Sequence, residues 1–309
     1  ISTGIDWNSE KDSLLDGVKI QAYSNQMQYE NEYQVRNTAD PSDDENTSDD
    51  LNQDSIGVNI QLSNNIKGEK YDQKITYGFE GSKLDGSRLR TKLEIEADET
   101  SNYKSNPDSE TTRLGFYIQD EISTDKWDLI LGLRYENYDM DATSDAAWFA
   151  TDESTNNTTI QLNNVGEPND FNDGNLAPSL KALYRYNEDT NIYAKYDRGF
   201  RAPTWDEINS SRVGVYPIAF HPTFGFPTAY GGYQTQGNPD LKAETSNNFE
   251  IGLKNNNAKS DITIAAFYSK YEDFLDKSAD GGTSDITDPL GNTITVPVIN
   301  TQNIDDVTI

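Results

Sequence analysis

Alternation with a period of two runs the length of this chain and leaves it little choice of fold. In "SIGVNIQLS", Ile56, Val58, Ile60 and Leu62 share one face, and Gly57, Asn59 and Gln61 take the other. In "TRLGFYIQDEI", Leu114, Phe116, Ile118 and Ile122 oppose Arg113, Gly115, Gln119 and Glu121. In "WDLILGLRYENY", Trp127, Leu129, Leu131, Leu133 and Tyr135 oppose Asp128, Gly132, Arg134 and Glu136. "KITYGFE", "NIYAKYDRGF", "FEIGLK" and "DITIAAFYSKY" continue the theme. A strand turns successive side chains to opposite faces, so these segments read as strands with one apolar face and one face of charges and glycines. The connections alternate as well. Short turns at 9–15, 63–70, 122–126, 187–190 and 255–260 are interleaved strictly with long connections at 24–54, 81–112, 139–177, 201–247 and 272–299. A secreted acidic β-sandwich with decorated hairpins accounts for the period but gives no reason to sort the loops. A membrane-spanning antiparallel β-barrel does, with short turns on the periplasmic side, long loops outside and strands of about 10 residues.

Composition fits that reading. Hydrophobic residues make up 34% of the 309, low for a globular chain, because only the lipid-facing half of each strand needs them. The 18 Tyr and 11 Phe are too many for a disordered chain. Trp127, Tyr135, Tyr138, Tyr184, Tyr186, Tyr268 and Tyr271 lie near strand ends, as interfacial girdles require. The net charge of −28 repels nucleic acid, so none is an expected partner; the barrel reading makes outer-membrane lipid the expected surroundings. With no Cys and one His, the chain holds no thiolate metal site and no multi-histidine zinc site of its own. No catalytic constellation is present, and an enzyme is not expected. No apolar run reaches the roughly 18 residues of a membrane helix. About eleven strands are legible, the outer two incomplete. Single-chain bacterial barrels close with an even number, so the chain reads as one domain forming part of a larger barrel. The acidic run "DPSDDENTSDD" at 40–50 reads as a solvated loop tip rather than a cation site.

Longer segments carry a resemblance. "GFRAPTWDEI" at 199–208 and "NPDLKAETSNNFEIGLK" at 238–254 are similar to the two most recurrent segments of TonB-dependent outer-membrane receptors. "TTRLGFYIQDEIS" with "WDLILGLRYENY" resembles the strand pair ahead of them, and "FYSKYEDFL" and "NTQNIDDVTI" the strands behind. The likeness covers most of the chain from about residue 70, in the family's order; before that it is one of pattern. Phe200, Arg201, Ala202 and Pro203 form the first box, and Asn238, Pro239, Asp240 and Leu241 the second. A histidine between them, His221, resembles the heme and hemoglobin branch of the family. The resemblance implies a barrel of 22 strands, of which this chain supplies about half. It also implies a plug domain and final strands outside the chain, and import from the Gram-negative outer membrane driven by the TonB complex through that plug. Heme would be cargo, taken free or from a heme-carrying protein, with His221 an axial ligand of its iron. Siderophore, cobalamin or saccharide cargo, or a passive porin or adhesin, are the other readings.

Residue chemistry sets narrower expectations. Neutral imidazole is a good iron ligand, and Phe220 beside it offers an apolar surface. Tyr216, Tyr230 and Tyr233 are candidates for contacting or ligating cargo, since tyrosinate also binds heme iron. In the first box Arg201, Pro203 and Glu207 are expected to be architectural, with Pro203 ending the strand and Arg201 pairing a rim carboxylate, Glu244 being the candidate. Lys195, Arg198, Arg134 and Arg185 are expected on the lumen side, and "NPDLKAE" as a turn into the next strand.

Overall fold

The computed structural model describes residues 1–9, 15–36, 44–150, 159–160, 166–257, 259–277 and 280–309. In chain order the elements are β1 (Ser2–Asn8), β2 (Gly17–Val35), β3 (Glu45–Lys67), β4 (Asp72–Glu94), β5 (Glu99–Tyr103), β6 (Asp108–Ser123) and β7 (Trp127–Thr143). There follow β8 (Thr159–Ile160), β9 (Phe171–Arg185), β10 (Thr190–Arg201), the short helix α1 (Trp205–Asn209), β11 (Ser211–Phe220) and β12 (Pro227–Gln236). The remainder are β13 (Glu244–Asn257), β14 (Ser260–Glu272), β15 (Phe274–Asp276), β16 (Asp280–Thr287), β17 (Thr293–Ile299), β18 (Gln302–Ile304) and β19 (Val307–Thr308).

One antiparallel sheet runs in the order β1-β2-β3-β4-β6-β7-β9-β10-β13-β14-β19, with β5 beside β4. These eleven strands, the first of 7 residues and the last of 2, match the expected count with short outer members. Register turns the sequence period into two coherent surfaces. Ile5, Ile20, Ile60, Phe79, Phe116, Tyr135 and Leu176 are consecutive cross-strand partners and form one apolar row on the outward face. Phe116 and Leu176 are each 52% exposed, which is contact with hydrocarbon. Nearer the turns, Trp127 and Tyr184 pack as a tilted pair with ring centroids 4.6 Å apart, a girdle pair. Tyr138 does not join the girdle. It falls in the opposite phase from Tyr135, is buried, and lies under the Arg113 guanidinium at 5.0 Å. Tyr271 is likewise out of phase with the outward Tyr268 and meets Phe274 edge-on.

The inward face carries ion pairs. Arg134 on β7 reaches Glu80 on β4 at 2.6 Å and Glu136 at 3.2 Å. Between them on β6 stands Gly115, where a Cβ would lie 2.7 Å from the Arg134 guanidinium, so the glycine is the gap through which the arginine crosses. Lys195 meets Glu250 at 3.2 Å, and Arg185 pairs with Asp128. Arg198 is one residue out of phase with Lys195 and Asp197, so the pleat turns it to the outward face, contrary to expectation.

The turns fall where the sequence put them: Gly68 donates to Tyr71 O, Thr124 to Trp127 O and Asn187 to Thr190 O across tight connections. The opposite end differs from expectation. Stretches read as loops at 24–54 and 81–112 are mostly strand: β3 and β4 have 23 residues each and pair without a bulge from Glu45↔Glu94 to Lys67↔Asp72. About 10 residues cross a bilayer, so more than half of each strand stands as a wall outside it. Residues 40–43 of the acidic run lie outside the described residues. Beyond them Glu45 and Asp49 are buried on that wall, not solvated at a tip. Over the mouth sit the five-stranded sheet β16-β17-β12-β11-β8 and the pair β15-β18.

Candidate functional site

The two boxes build the floor on which the histidine hairpin stands. Phe200, Ala202 and Trp205 pack against Tyr138, Met140, Ile208, Leu241 and Leu275, and Pro203 is fully buried. Pro203 fixes its own φ and supplies no donor, so β10 stops and the chain turns into α1. The expectation of an architectural role fits this packing. Thr204 caps α1: its N–H donates to Glu207 Oε2 at 2.8 Å, and its hydroxyl to the same oxygen at 3.0 Å. The other Glu207 oxygen receives Arg201 at 2.8 Å. Arg201 and Glu244 are register partners, yet the guanidinium pairs with Glu207, and Glu244 Oε2 accepts the Leu275 N–H at 3.0 Å. The expected Arg201–Glu244 pair is therefore replaced. Arg201→Ala is expected to cost about 1–2 kcal/mol, because buried Glu207 loses its counter-charge while half-exposed Arg201 limits the loss. Arg201→Lys should restore part of it, which thermal melts of the whole receptor would measure.

The second box clasps the helix. Gly237 N–H donates to Ser210 O at 2.6 Å and Asn238 N–H to Glu207 O at 2.9 Å. A Cβ on Gly237 would fall on the Ile208 carbonyl. Asn238 Oδ1 accepts the Asp240 N–H at 3.1 Å, an Asx turn over Pro239, and its amide donates to Thr301 O at 3.1 Å. Leu241 drops into the core cluster.

Between the clasps, β11 and β12 form a hairpin with His221 at its tip. His221 N–H donates to Phe226 O at 2.8 Å, and Gly225, in the left-handed region at φ 73°, donates to His221 O at 2.9 Å. The ring is part of the turn: Nδ1 lies 3.3 Å from the N–H groups of both Thr223 and Phe224, and the imidazole packs 4.9 Å from each of the Phe224 and Phe226 rings. Phe224 is 75% exposed, and Phe220, Phe226 and Ile218 are more than half exposed. An apolar cluster of this kind on an extracellular tip is an interaction surface rather than a core.

The tyrosines separate. Tyr216 is exposed on the same face as Ile218 and sits five residues from His221, about 15 Å along a strand. Tyr233 lies over Gly214 near the hairpin base, farther from the tip. Tyr230 is on the other face, packed against Val213, Val215, Ile286 and Val296. The fold thus brings Phe224 and Phe226 against His221 with Phe220 beside it, leaves Tyr216 and Tyr233 farther down the hairpin, and directs Tyr230 into the sheet.

Register alone reveals a charged clasp that the sequence reading missed. Asp49 and Arg90 are cross-strand partners on the inward wall. Asp49 takes Arg88 in two bonds, 2.9 and 2.6 Å, and Arg90 at 3.1 Å, while the Arg90 guanidinium lies 5.7 Å from the Tyr103 ring centroid. Burial pushes the Asp49 carboxyl up, but the two guanidiniums outweigh it and hold it below the usual carboxylate range. Nearby, buried Lys104 ties Asp108 at 2.8 Å to Asp145 at 2.7 Å, joining the start of β6 to the β7–β8 connection. Among the described residues no group of three or more acids, histidines or cysteines is placed to hold a metal ion.

A family model described as TonB dependent receptor-like, beta-barrel, matches residues 1–309. Hemoglobin-haptoglobin utilization protein B of Neisseria meningitidis serogroup C is 32% identical over 102 residues, 33% of this chain and 11% of that protein. The hemoglobin and hemoglobin-haptoglobin-binding protein of Haemophilus ducreyi is 41% identical over 86 residues, 28% of this chain and 7% of that protein. The matched stretch thus spans about a tenth or less of these relatives. Among solved structures, the copper transporter OprC superposes with a TM-score of 0.66 at 14% identity, covering 99% of this chain and 42% of that one. The Serratia marcescens hemophore receptor HasR, solved with its hemophore HasA and heme, gives 0.57 at 14% identity, covering 99% and 50%. Identities this low speak to the fold alone.

Proposed function

This chain belongs to the TonB-dependent receptor β-barrel family of the Gram-negative outer membrane, and from that premise we propose that it is the barrel segment of a receptor importing heme iron, from free heme or a heme protein. The observation that carries the reading is His221 at the tip of an exposed aromatic hairpin between the two family boxes, a placement that resembles the heme branch. Relatives named for hemoglobin and hemoglobin-haptoglobin support the same cargo. Import would draw on the TonB complex through a plug domain not contained in residues 1–309. The barrel provides the route, the inward charges a polar surface for the plug, and the hairpin the capture surface. Heme needs two things from such a surface: apolar area for the porphyrin, offered by Phe220, Phe224 and Phe226, and a nitrogen for the iron.

The turn adds a condition. A ring nitrogen binds metal only without its proton, and one that accepts hydrogen bonds is likewise unprotonated. With Nδ1 accepting from the turn, the neutral ring carries its proton on Nε2. Ligation through Nε2 therefore requires the proton to move to Nδ1 and the two turn contacts to open, so iron binding and remodelling of the tip are one event. In a hemin titration of the whole receptor, His221→Ala should weaken binding about tenfold or more and shift the Soret band, with residual affinity from the phenylalanines. Identical spectra and affinities would leave His221 as a turn residue and favour a siderophore, cobalamin or saccharide cargo.

A further inference from the structure

The outward face of β10, β13 and β14 carries a row of hydrogen-bond donors. Arg198, Asn247 and Lys270 are consecutive cross-strand partners, each about 5 Å from the next. One pleat nearer the tight turns, Tyr196, Phe249 and Tyr268 are partners in the same way, with ring centroids 4.9 and 6.4 Å apart. One pleat nearer again the row is Ala182, Ala194, Ile251 and Ala266. The alanines leave a recess of about 510 Å³ beside the aromatic rings, and its surface is almost wholly apolar.

Strand length sets the height of these rows. From Ser260, where β14 leaves its turn, to Lys270 is about 33 Å along the strand, and about 25 Å in height at a tilt of about 40°. That is the height of the apolar band. The aromatic row therefore lies at the outer hydrocarbon boundary and the donor row in the headgroup layer above it.

The donors are set for an anion. Arg198 has no ion-pair partner among the described residues, and with its Nε covered by the fold it offers its two terminal nitrogens. The Tyr196 hydroxyl donates to Asn247 Oδ1 at 2.9 Å, which orients the carboxamide and keeps its NH2 group as a donor. Lys270 meets Asp306 at 2.7 Å, a pair whose carboxylate is 68% exposed, and Glu272 stands one pleat higher on the same strand. The uncompensated charge therefore sits at the Arg198 end. A guanidinium on the lipid face is costly without a counter-charge, and a phosphate takes two parallel bonds from it. A free phosphate ion would leave the recess below unused, whereas a lipid fills it with an acyl chain.

We propose that this face seats one phosphate-bearing lipid of the outer leaflet, its phosphate on Arg198 and Asn247 with Lys270 beside them, and an acyl chain in the alanine recess. The site stands apart from the heme reading, because no residue of the hairpin tip belongs to it. The test is native mass spectrometry of the whole receptor in detergent, titrated with phosphorylated lipid A, with the same lipid stripped of its phosphates, or with inorganic phosphate alone. One equivalent of the phosphorylated lipid should be retained, with the stripped lipid about tenfold or more weaker and inorganic phosphate unable to displace the lipid at equal concentration. Arg198→Gln should lower affinity for the phosphorylated lipid about tenfold and leave the stripped lipid unchanged. Ala194→Leu, which fills the recess, should weaken both lipids about threefold or more. Hemin binding should be the same in both variants. Should Arg198→Gln fail to fold, Ala194→Leu on the exposed strand face still decides. Equal retention of the two lipids, displacement by equimolar phosphate, or folded variants that bind lipid as the wild type does would overturn the proposal.

Discussion

Gly237→Val is expected to release the hairpin from the barrel mouth and abolish cargo capture while leaving His221 untouched. The position has an ordinary backbone conformation, so strain in φ is not the cause. An added Cβ would lie 2.2 Å from the Ile208 carbonyl oxygen and 2.6 Å from the Asn209 nitrogen, backbone atoms that no side-chain rotation can move. The second box would have to back away from α1, breaking Gly237 N–H to Ser210 O and Asn238 N–H to Glu207 O together. The loss should exceed about 3 kcal/mol locally, in the range of strong backbone clashes. Limited proteolysis of the whole receptor should then cut within 205–240, sites protected in the wild type, while the membrane strands remain intact. Gly237→Ala should show the same pattern, because the first carbon already collides. A variant as resistant as the wild type would mean that the clasp is not what holds the hairpin.

Asp49→Leu should loosen the wall above the membrane. The substitution leaves Arg88 and Arg90 side by side with their shared carboxylate gone. Breaking a buried pair from one side costs about 3–5 kcal/mol, and the partial exposure of Arg88 lowers the expectation to about 2 kcal/mol. Hydrogen exchange at 45–51 and 86–94 should accelerate accordingly, and replacing both arginines by leucine alongside Asp49→Leu should recover most of the protection. The pH dependence has a definite sign. The folded carboxyl titrates below its unfolded value of about 3.9, so the clasp contributes fully above that value and is lost only as pH falls through the lowered one. Protection should be level from neutral pH to about 5 and decline below about 4. A decline between pH 7 and 6 would point to a different group.

Much of this was legible in the sequence because a strand's two faces differ in solvent. Lipid demands apolar residues, so Ile60, Phe116 and Leu131 announced their strands, and the tight turns followed from where the alternation stopped. The wall above the membrane was not legible for the same reason. There the outward face no longer meets hydrocarbon, and acidic residues such as Glu45 and Asp49 look solvated until register sets Asp49 opposite Arg90. Tyr138 and Tyr271 lie near strand ends as girdle residues do, but counting phase from Tyr135 and Tyr268 turns them inward. The same count applies to Arg198 against Lys195. Arg201 could be given a carboxylate but not the right one, because the choice between Glu207 and Glu244 depends on α1 folding back and on Leu275 claiming Glu244.

The unbroken ladder from Lys67 to Glu45 constrains how this receptor can change over generations. Adding one residue to either arm would turn every side chain beyond it from cavity to exterior, exchanging Arg88 and Arg90 for Leu89. Growth of the wall must therefore come in even steps, matched on neighbouring arms, or be absorbed where pairing ends. Related barrels should differ in height by whole pleats, and an odd insertion within 45–94 should be found only beside a bulge that resets the phase.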